Sequence, residues 1–524
     1  MNFANIKFRI LALLLAGVTL AGCDDRWQEH YEGETPGSDQ TVYEMIAENP
    51  ELSTFKEMID RSGYAGLLNS TQTFTVWAPV NSALTGFDLD DEALVKRTVL
   101  NHIARFNHSS ANDGLTRVRM YNGKKFRFDD SGYAGVAMIT PDILCANGVL
   151  HTLEEAIPYS YNIREYIDSH SETSRLAEFL ARFDQEKFDV ENSTPIDVNA
   201  QGETVYDSVK IQYNMLLDYP RLGIGPVADE DSLFSMVIPT DAAWEREYAR
   251  IRPWFNHASD SVADVQTSLA VFSHLVFRAD ITAPSAYDML VSTTGSKHTA
   301  IDAIFSAAER VAASNGSIWL ASAMGQDPLE SWNQPLEIES EVAFTRKLDV
   351  ATKAYSTTCN VASDSEFADQ ISELAYIYVA SSSLDNPAVE FTINDPLSGT
   401  YRIYAYFVPA IADNAAATDE VTRLKFSVTY PRAVTGSRTQ TKNFTDDSFV
   451  TSPTEVTKML VGEVTFPASH FVDRLREMDQ TYDATQDKSN FTIKVQTNVT
   501  QAEFNSGAYK RAFRLDRVVL EPVI

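Results

Sequence analysis

Three short blocks occur twice in this chain, in the same order, and that duplication constrains its fold more than any other feature. Phe74-Thr75-Val76-Trp77-Ala78-Pro79-Val80-Asn81-Ser82-Ala83-Leu84 aligns with Phe234-Ser235-Met236-Val237-Ile238-Pro239-Thr240-Asp241-Ala242-Ala243-Trp244. Val99-Leu100-Asn101-His102-Ile103 aligns with Val271-Phe272-Ser273-His274-Leu275, and Ala146 to His151 aligns with Ser314 to Trp319. The first block predicts a buried, alternating strand stopped by a proline that cannot donate to a sheet ladder. Asn81 and Asp241 then stand where a helix N-cap is needed. The Asn-Gly of the third block predicts a hairpin turn entering a strand.

Each copy is preceded by a helical pattern. Val42, Met45 and Ile46 share one face, Asn49-Pro50 opens a second helix, and Leu52, Phe55, Met58 and Ile59 form its apolar stripe before Gly63 ends it. Ile163, Tyr166 and Ile167, then Leu176, Phe179, Leu180 and Phe183, repeat the scheme. The blocks resemble fasciclin-like domains, whose signatures are a strand reading Thr-Val-Phe-Ala-Pro-Thr-Asn-x-Ala-Phe, a central His and a late Asn-Gly-Val-x-His strand. The resemblance implies one such domain at 41–160. It implies a second, divergent one at 161–334, with an insertion near 185–232. Within the insertion, Val205 to Leu217 predicts an added hairpin or helix where a partner could be contacted. Fasciclin-like domains of animals are linked to adhesion through a Tyr-His motif. Asn101 and Ser273 precede the histidines here, which argues against that receptor mode.

Beyond 335 the apolar period becomes two. Val389, Phe391 and Ile393 alternate with polar neighbours, as do Tyr401 to Phe407, Leu424 to Tyr430 and Phe491 to Thr497. Runs near 336–344, 374–380 and 460–466, and two final strands at 513–516 and 518–520, complete an antiparallel sandwich or jelly roll over 335–524. The expected fold class is therefore α+β: two fasciclin-like domains followed by an all-β sandwich. The sandwich resembles carbohydrate-binding jelly rolls in pattern alone. Tyr404 and Tyr406 lie on the face opposite its inferred core. They are weak candidates for stacking on sugar rings with Arg402 beside them, and packing under a loop or neighbouring domain is the preferred reading.

At the N-terminus, Lys7 and Arg9 precede the apolar stretch Ile10–Leu20 and the sequence Leu20-Ala21-Gly22-Cys23. That pattern reads as a secretory signal over 1–22. It resembles a lipobox, which implies a diacylglyceryl group on Cys23 and cleavage before it. Each acyl chain adds roughly 0.8 kcal/mol per buried methylene, and two or more anchor stably. Residues 23–40 read as a tether. Asp24-Asp25 resembles the acidic export signal of lipoproteins displayed with SusC/SusD-like nutrient-uptake systems. In other bacteria an Asp after the Cys accompanies retention at the inner membrane, and the binding-type domains that follow favour surface display on the outer membrane.

The formal net charge of −30 repels nucleic acid and anionic lipid. Three cysteines, Cys23, Cys145 and Cys359, exclude a disulfide framework. The nine histidines form no ligand motif, and His102 and His274, at their repeated position, predict core histidines donating to a backbone carbonyl. Asp88 to Glu92 could attract calcium, but acids at a helix start are the better reading. No nucleophile elbow, phosphate loop or dinucleotide fingerprint appears, so no cofactor and no enzyme activity is expected. The expected role is a non-catalytic accessory component of a SusC/SusD-like complex taking up glycan or peptide. The alternatives are a fasciclin-type adhesin or surface scaffold and, third, a hydrolase with an unrecognised site.

Overall fold

The structure is a computed structural model. It describes residues 39–110, 116–188, 194–198, 204–207, 210–219, 223–381, 385–471 and 489–524. The expected signal segment, Cys23 and the tether up to residue 38 lie outside the described residues. The chain forms two compact units, one ending at Tyr161 and one starting at Asn162. The second therefore holds both the second repeat and the region beyond 335.

In the first unit, Thr41 closes a capping box on the helix Val42–Glu48. Asn49 caps the turn Pro50–Leu52, which runs into the helix Ser53–Ser62, and Gly63 ends that helix in the left-handed conformation. The strands are β1 (Phe74–Pro79), β2 (Ile103–Arg105), β3 (Thr116–Arg119), β4 (Lys125–Asp129), β5 (Gly132–Tyr133), β6 (Met138–Cys145) and β7 (Gly148–Leu153). They make a four-stranded sheet in the order β2-β1-β7-β6 and a three-stranded sheet β3-β4-β5. β1 and β7 are parallel neighbours, while β2 and β6 run antiparallel to them.

All six residues of β1 are buried, so the strand is not half-exposed in alternation. One face carries Phe74, Val76 and Ala78 against Phe55, Met58 and Ile59 of the helix and Val95 and Val99 of the helix Glu92–Leu100. The other face carries Trp77, which packs with Val118, Phe128, Tyr133 and Leu153. Covering both faces is the usual condition of a parallel pair. Each large apolar side chain so enclosed contributes roughly 1.5–3 kcal/mol.

The second unit repeats this plan. Its first strands are β8 (Asp184–Phe188), β9 (Thr194–Val198), β10 (Thr204–Asp207), β11 (Lys210–Asn214), β12 (Phe234–Pro239), β13 (Val276–Phe277), β14 (Leu290–Val291), β15 (Lys297–His298), β16 (Ala308–Ala313) and β17 (Gly316–Ala321). The order β13-β12-β17-β16 matches β2-β1-β7-β6, with the same parallel central pair. Phe74 pairs with Gly148 and Phe234 with Gly316 in the same register. A Cβ on either glycine would overlap the partner phenylalanine's carbonyl oxygen, which is why Gly stands at both positions. The insertion is a hairpin ribbon: β8 pairs with β11 and β9 with β10.

Beyond residue 335 the strands are β18 (Leu336–Glu339), β19 (Arg346–Leu348), β20 (Ala354–Asn360), β21 (Ala375–Ser381), β22 (Ala388–Thr392), β23 (Gly399–Phe407), β24 (Arg423–Pro431), β25 (Thr439–Val450), β26 (Thr457–Phe466), β27 (Thr492–Thr497) and β28 (Ala512–Val523). One sheet has the order β20-β21-β28-β23-β26 with β18 also on β28, and the other β19-β22-β27-β24-β25. Every pairing in both is antiparallel. Phe391, Ile403, Phe407, Phe426, Ile493 and Leu515 meet in one core between the sheets. The expected pair of final strands is a single strand, β28, whose pairing with β23 is interrupted by a bulge at Tyr406/Phe407.

Candidate functional site

The Asn and Asp after each strand-ending proline do cap a helix, but not the one that follows them. Asn81 Oδ1 accepts from Thr54 N at 2.9 Å, and Asp241 Oδ1 accepts from Arg175 N at 2.8 Å. Each side chain reaches back to the start of an earlier helix, Ser53–Ser62 or Ser174–Ala181. The following helix Asp241–Ile251 is capped instead by Thr240. The Asn-Gly turns likewise do more than reverse the chain. Asn147 Oδ1 accepts from Val42 N at 2.8 Å, and its Nδ2 donates to the carbonyls of Leu68 and Ser70. Asn315 makes the matching set with Ile163 N and with the carbonyls of Val227 and Asp229.

The repeated histidines have diverged. His102 is fully buried, its Nδ1 2.7 Å from the Thr98 carbonyl oxygen and its Nε2 accepting from Ile157 N at 3.0 Å. This is the expected core histidine, and burial holds its pKa down to about 4. His274 departs from that expectation: it is only half-buried, and its Nδ1 lies 2.8 Å from Ser296 Oγ and 3.3 Å from Thr294 Oγ1, side-chain hydroxyls instead of a backbone carbonyl. It lines a cavity of about 700 Å³ in the second unit.

That cavity lies where the second repeat meets the sandwich. The helix Asp260–Phe272 supplies Gln266, Leu269 and Ala270. The segment 331–336 entering β18 supplies Trp332, Asn333 and Gln334. Asp395, Leu397, Tyr401 and Phe471 complete it from the sandwich side. The junction around it is tightly made. Ser398 donates its N–H to the Trp254 carbonyl at 2.9 Å, and Asn256 Nδ2 donates to the Pro467 carbonyl at 2.7 Å. Phe255 meets Phe471 edge-on, and a Cβ on Gly399 would overlap the Trp254 ring. No sequence signal marked this site, because its residues come from seven separate segments.

Tyr404 and Tyr406 do lie opposite the core face, half-buried on β23. Lys458 Nζ stands 4.3 Å from the Tyr404 ring centre, and the Arg517 guanidinium 4.4 Å from that of Tyr406. Cations from the neighbouring strands β26 and β28 thus occupy a face of each ring. Arg402 pairs with Glu463 at 2.9 Å. None of these residues lines the cavity.

The remaining candidates resolve plainly. Asp91 N-caps the helix Glu92–Leu100, and Asp88 bonds the N–H of Asp90. Among the described residues no group of three or more His, Cys, Asp or Glu could hold a metal ion. Cys145 and Cys359 are free, and burial pushes the Cys145 thiol up to about 11. Asp516 is fully buried, accepting from Ser372 N and Arg517. Burial raises its carboxyl to about 7, against the opposing pull of Arg517. Among the described residues no helix is long and apolar enough to cross a membrane.

A FAS1 domain-containing protein of Saccharomyces cerevisiae is 26% identical over 217 residues, covering 36% of this chain and 24% of that protein. The chain therefore spans about a quarter of that relative's length. Among solved structures, a FAS1 domain pair from the insect cell adhesion molecule fasciclin I is 12% identical, with 54% of this chain and 99% of that one covered at a TM-score of 0.20. A xylan-binding domain from Paenibacillus barcinonensis is 11% identical, with 36% of this chain and 98% of that one covered at a TM-score of 0.21. Residues 50–158 match the family model of the Fasciclin domain, so the N-terminal part of this chain has the FAS1 fold, followed by a mixed region rich in β-sheet.

Proposed function

We propose that this chain is a non-catalytic adhesion or scaffold protein of the cell surface, built from two fasciclin-like domains, the second divergent, and a jelly-roll-like sandwich. The observation that carries this reading is the Fasciclin match at 50–158 together with the repetition of its sheet order and register at β12, β13, β16 and β17. A scaffold needs rigid, stacked modules with outward surfaces. The junction of Trp254, Asn256, Ser398 and Gly399 makes the second repeat and the sandwich one body of that kind. Binding surfaces of this sort are carried by loops and insertions on a rigid frame, and the hairpin ribbon β8–β11 is such an insertion.

In its narrower form the proposal is a lipoprotein held in the outer membrane through Cys23, facing outward, and docked on a SusC/SusD-like transporter as an accessory component. Leu20-Ala21-Gly22-Cys23 and Asp24-Asp25 support the anchor and the address. Cross-linking on intact cells followed by affinity purification of the full chain tests both forms. A SusC/SusD-like pair among the cross-linked proteins supports the narrow form. Loss of cell aggregation or surface attachment on deletion, with nutrient uptake unchanged, supports the broader form alone. A deletion strain normal in both, with no partner recovered, contradicts both.

A further inference from the structure

We propose that the outward face of strands β2, β3 and β4 in the first unit is a docking surface for an acidic polysaccharide, one that repeats a carboxylate or sulfate along its chain. The inference goes beyond the scaffold reading and stands without it, since it concerns only residues of the first unit.

The face is basic in a chain whose formal net charge is −30. Between Glu92 and Asp129 the sequence carries eight Lys and Arg and a single acid, Asp113. The strands gather five of these cations. Val118 and Phe128 pack into the core with Trp77, so the alternate residues of β3 and β4 point outward. The register then sets Arg117 opposite Arg127 and Arg119 opposite Lys125. The bridge between the buried Ala104 and Met120 brings the neighbouring, exposed Arg105 of β2 beside Arg119. Like charges directly opposite each other destabilise a strand pair. Two such pairs side by side oppose the fold, and an anion lying across them relieves that repulsion. Arg127 also pairs with Asp129 at 3.1 Å, yet its side chain is 66% exposed. An ion pair this open contributes little and yields to a competing anion.

The arrangement also restricts the partner. Four of the five cations are Arg, whose planar fork matches a carboxylate or a tetrahedral oxyanion with two hydrogen bonds. Residues two apart on one strand stand about 7 Å from each other and opposed residues about 5 Å. One small anion therefore reaches only one or two of the cations, whereas a polymer charged at each repeat can run along all of them. Arg117, Arg119, Lys125 and Arg127 leave no apolar centre between them. A stable protein interface has a centre depleted of charge, and a membrane-docking face buries an apolar one. Phe106, next to Arg105, is 72% exposed and offers one ring to the C–H face of a sugar. The rest of the chain is acidic overall and repels a polyanion, which leaves this face as its landing place.

The test is calorimetric titration of the full chain with polygalacturonate, hyaluronan and chondroitin sulfate. Dextran is the neutral counter-probe, polyglutamate the acidic peptide, and phosphatidylglycerol vesicles, read as the excess over phosphatidylcholine alone, the anionic lipid surface. The proposal expects saturable binding of at least one acidic glycan, weakening steeply between about 50 mM and about 200 mM salt. The double variant Arg117→Gln with Arg119→Gln removes one member of each opposed pair and is expected to weaken binding by about fivefold to tenfold. Its melting temperature is expected to be unchanged or raised, because the like-charge repulsion is relieved, which separates loss of the ligand from loss of the fold. The control pair Lys297→Gln with Lys347→Gln removes the same charge from exposed positions of the second unit and is expected to leave binding within about twofold. The proposal is overturned if no acidic glycan saturates, if the Arg117 and Arg119 variant binds as the parent does, or if the control pair weakens binding as much. It is equally overturned if dextran, polyglutamate or the phosphatidylglycerol surface binds more tightly than every acidic glycan.

Discussion

Asn147 and Asn315 occupy the same place in the two repeats and make the same three hydrogen bonds, one accepted from the first turn of a helix and two donated to a loop before the central strand. Each is buried, as are its partners Val42 and Leu68 in one repeat and Ile163 and Val227 in the other. Asn147→Ala should therefore leave Val42 N and two carbonyls unpaired and cost about 3 kcal/mol. Urea unfolding followed by far-ultraviolet circular dichroism measures this, and a loss below about 1 kcal/mol would show that the loop re-pairs elsewhere.

Gly399 touches the ring of Trp254 with φ +135, so both backbone strain and overlap oppose any side chain there. Gly399→Ala should disturb the junction while leaving the sandwich core of Phe391, Phe407 and Leu515 in place. Limited proteolysis should then cut between the second repeat and the sandwich, in the region 331–335, faster than in the parent. Unchanged cleavage there would argue that the junction tolerates the methyl group.

Two of the buried titrating groups, His102 and Asp516, give pH dependences of opposite sign. His102 is held at about 4 in the folded chain and sits near 6.5 when unfolded. The unfolded chain binds more protons between those values, so stability falls as pH drops from about 6.5 towards 4. His102→Gln should make that slope shallower in the first unit, where burial also holds His108 and His151 down and gives contributions of the same sign. A slope that persists unchanged in the variant assigns it to other groups.

Asp516 is raised to about 7 in the folded chain, above the unfolded carboxylate value. The folded chain therefore holds the proton longer, and this group's contribution to stability falls as pH rises from about 4 to about 7, then levels off. Asp516→Asn keeps an acceptor for Ser372 N and should flatten that fall, gaining most relative to the parent near pH 8. Denaturant unfolding at pH 5 and pH 8 compares the two. A variant weaker than the parent at pH 8 would contradict the assignment.

The rings of Tyr404 and Tyr406 face Lys458 and Arg517, and exposed cation–π pairs contribute roughly 0.5–1 kcal/mol each. Tyr406→Ala should lower sandwich stability by about that amount. Urea unfolding measures this, and an unchanged midpoint would show that the cations gain nothing from the rings.

The repeat architecture was legible because its constraints are local. A strand ended by proline, an Asn-Gly turn and an amphipathic helix each write themselves into a few consecutive residues. The inner strands of the sandwich were legible for the same reason: Tyr401, Ile403, Ala405 and Phe407 alternate with half-buried neighbours. Strands β19, β20 and β25 were not, because they lie at sheet edges where neither face is deeply buried; β25 reads Thr-Gln-Thr-Lys-Asn-Phe-Thr-Asp-Asp and shows no period. The targets of Asn81 and Asp241 were misread because capping residues usually serve the helix they precede. Here the chain turns so that each meets the earlier helix instead. The cavity escaped notice entirely, since Gln266, Trp332 and Tyr401 approach only through tertiary packing.

The central claim is that one fold is used twice, locked each time by the same asparagine, with the second copy built into the sandwich. Hydrogen exchange of the full chain carrying Asn315→Ala tests it most directly. The account predicts faster exchange across the helices Ile163–Ser169 and Ser174–Ala181 and the strand Gly316–Ala321, mirrored by Asn147→Ala in Val42–Glu48, Ser53–Ser62 and Gly148–Leu153. Exchange raised only at the turn residues next to the substitution, with both helices as protected as in the parent, would contradict it.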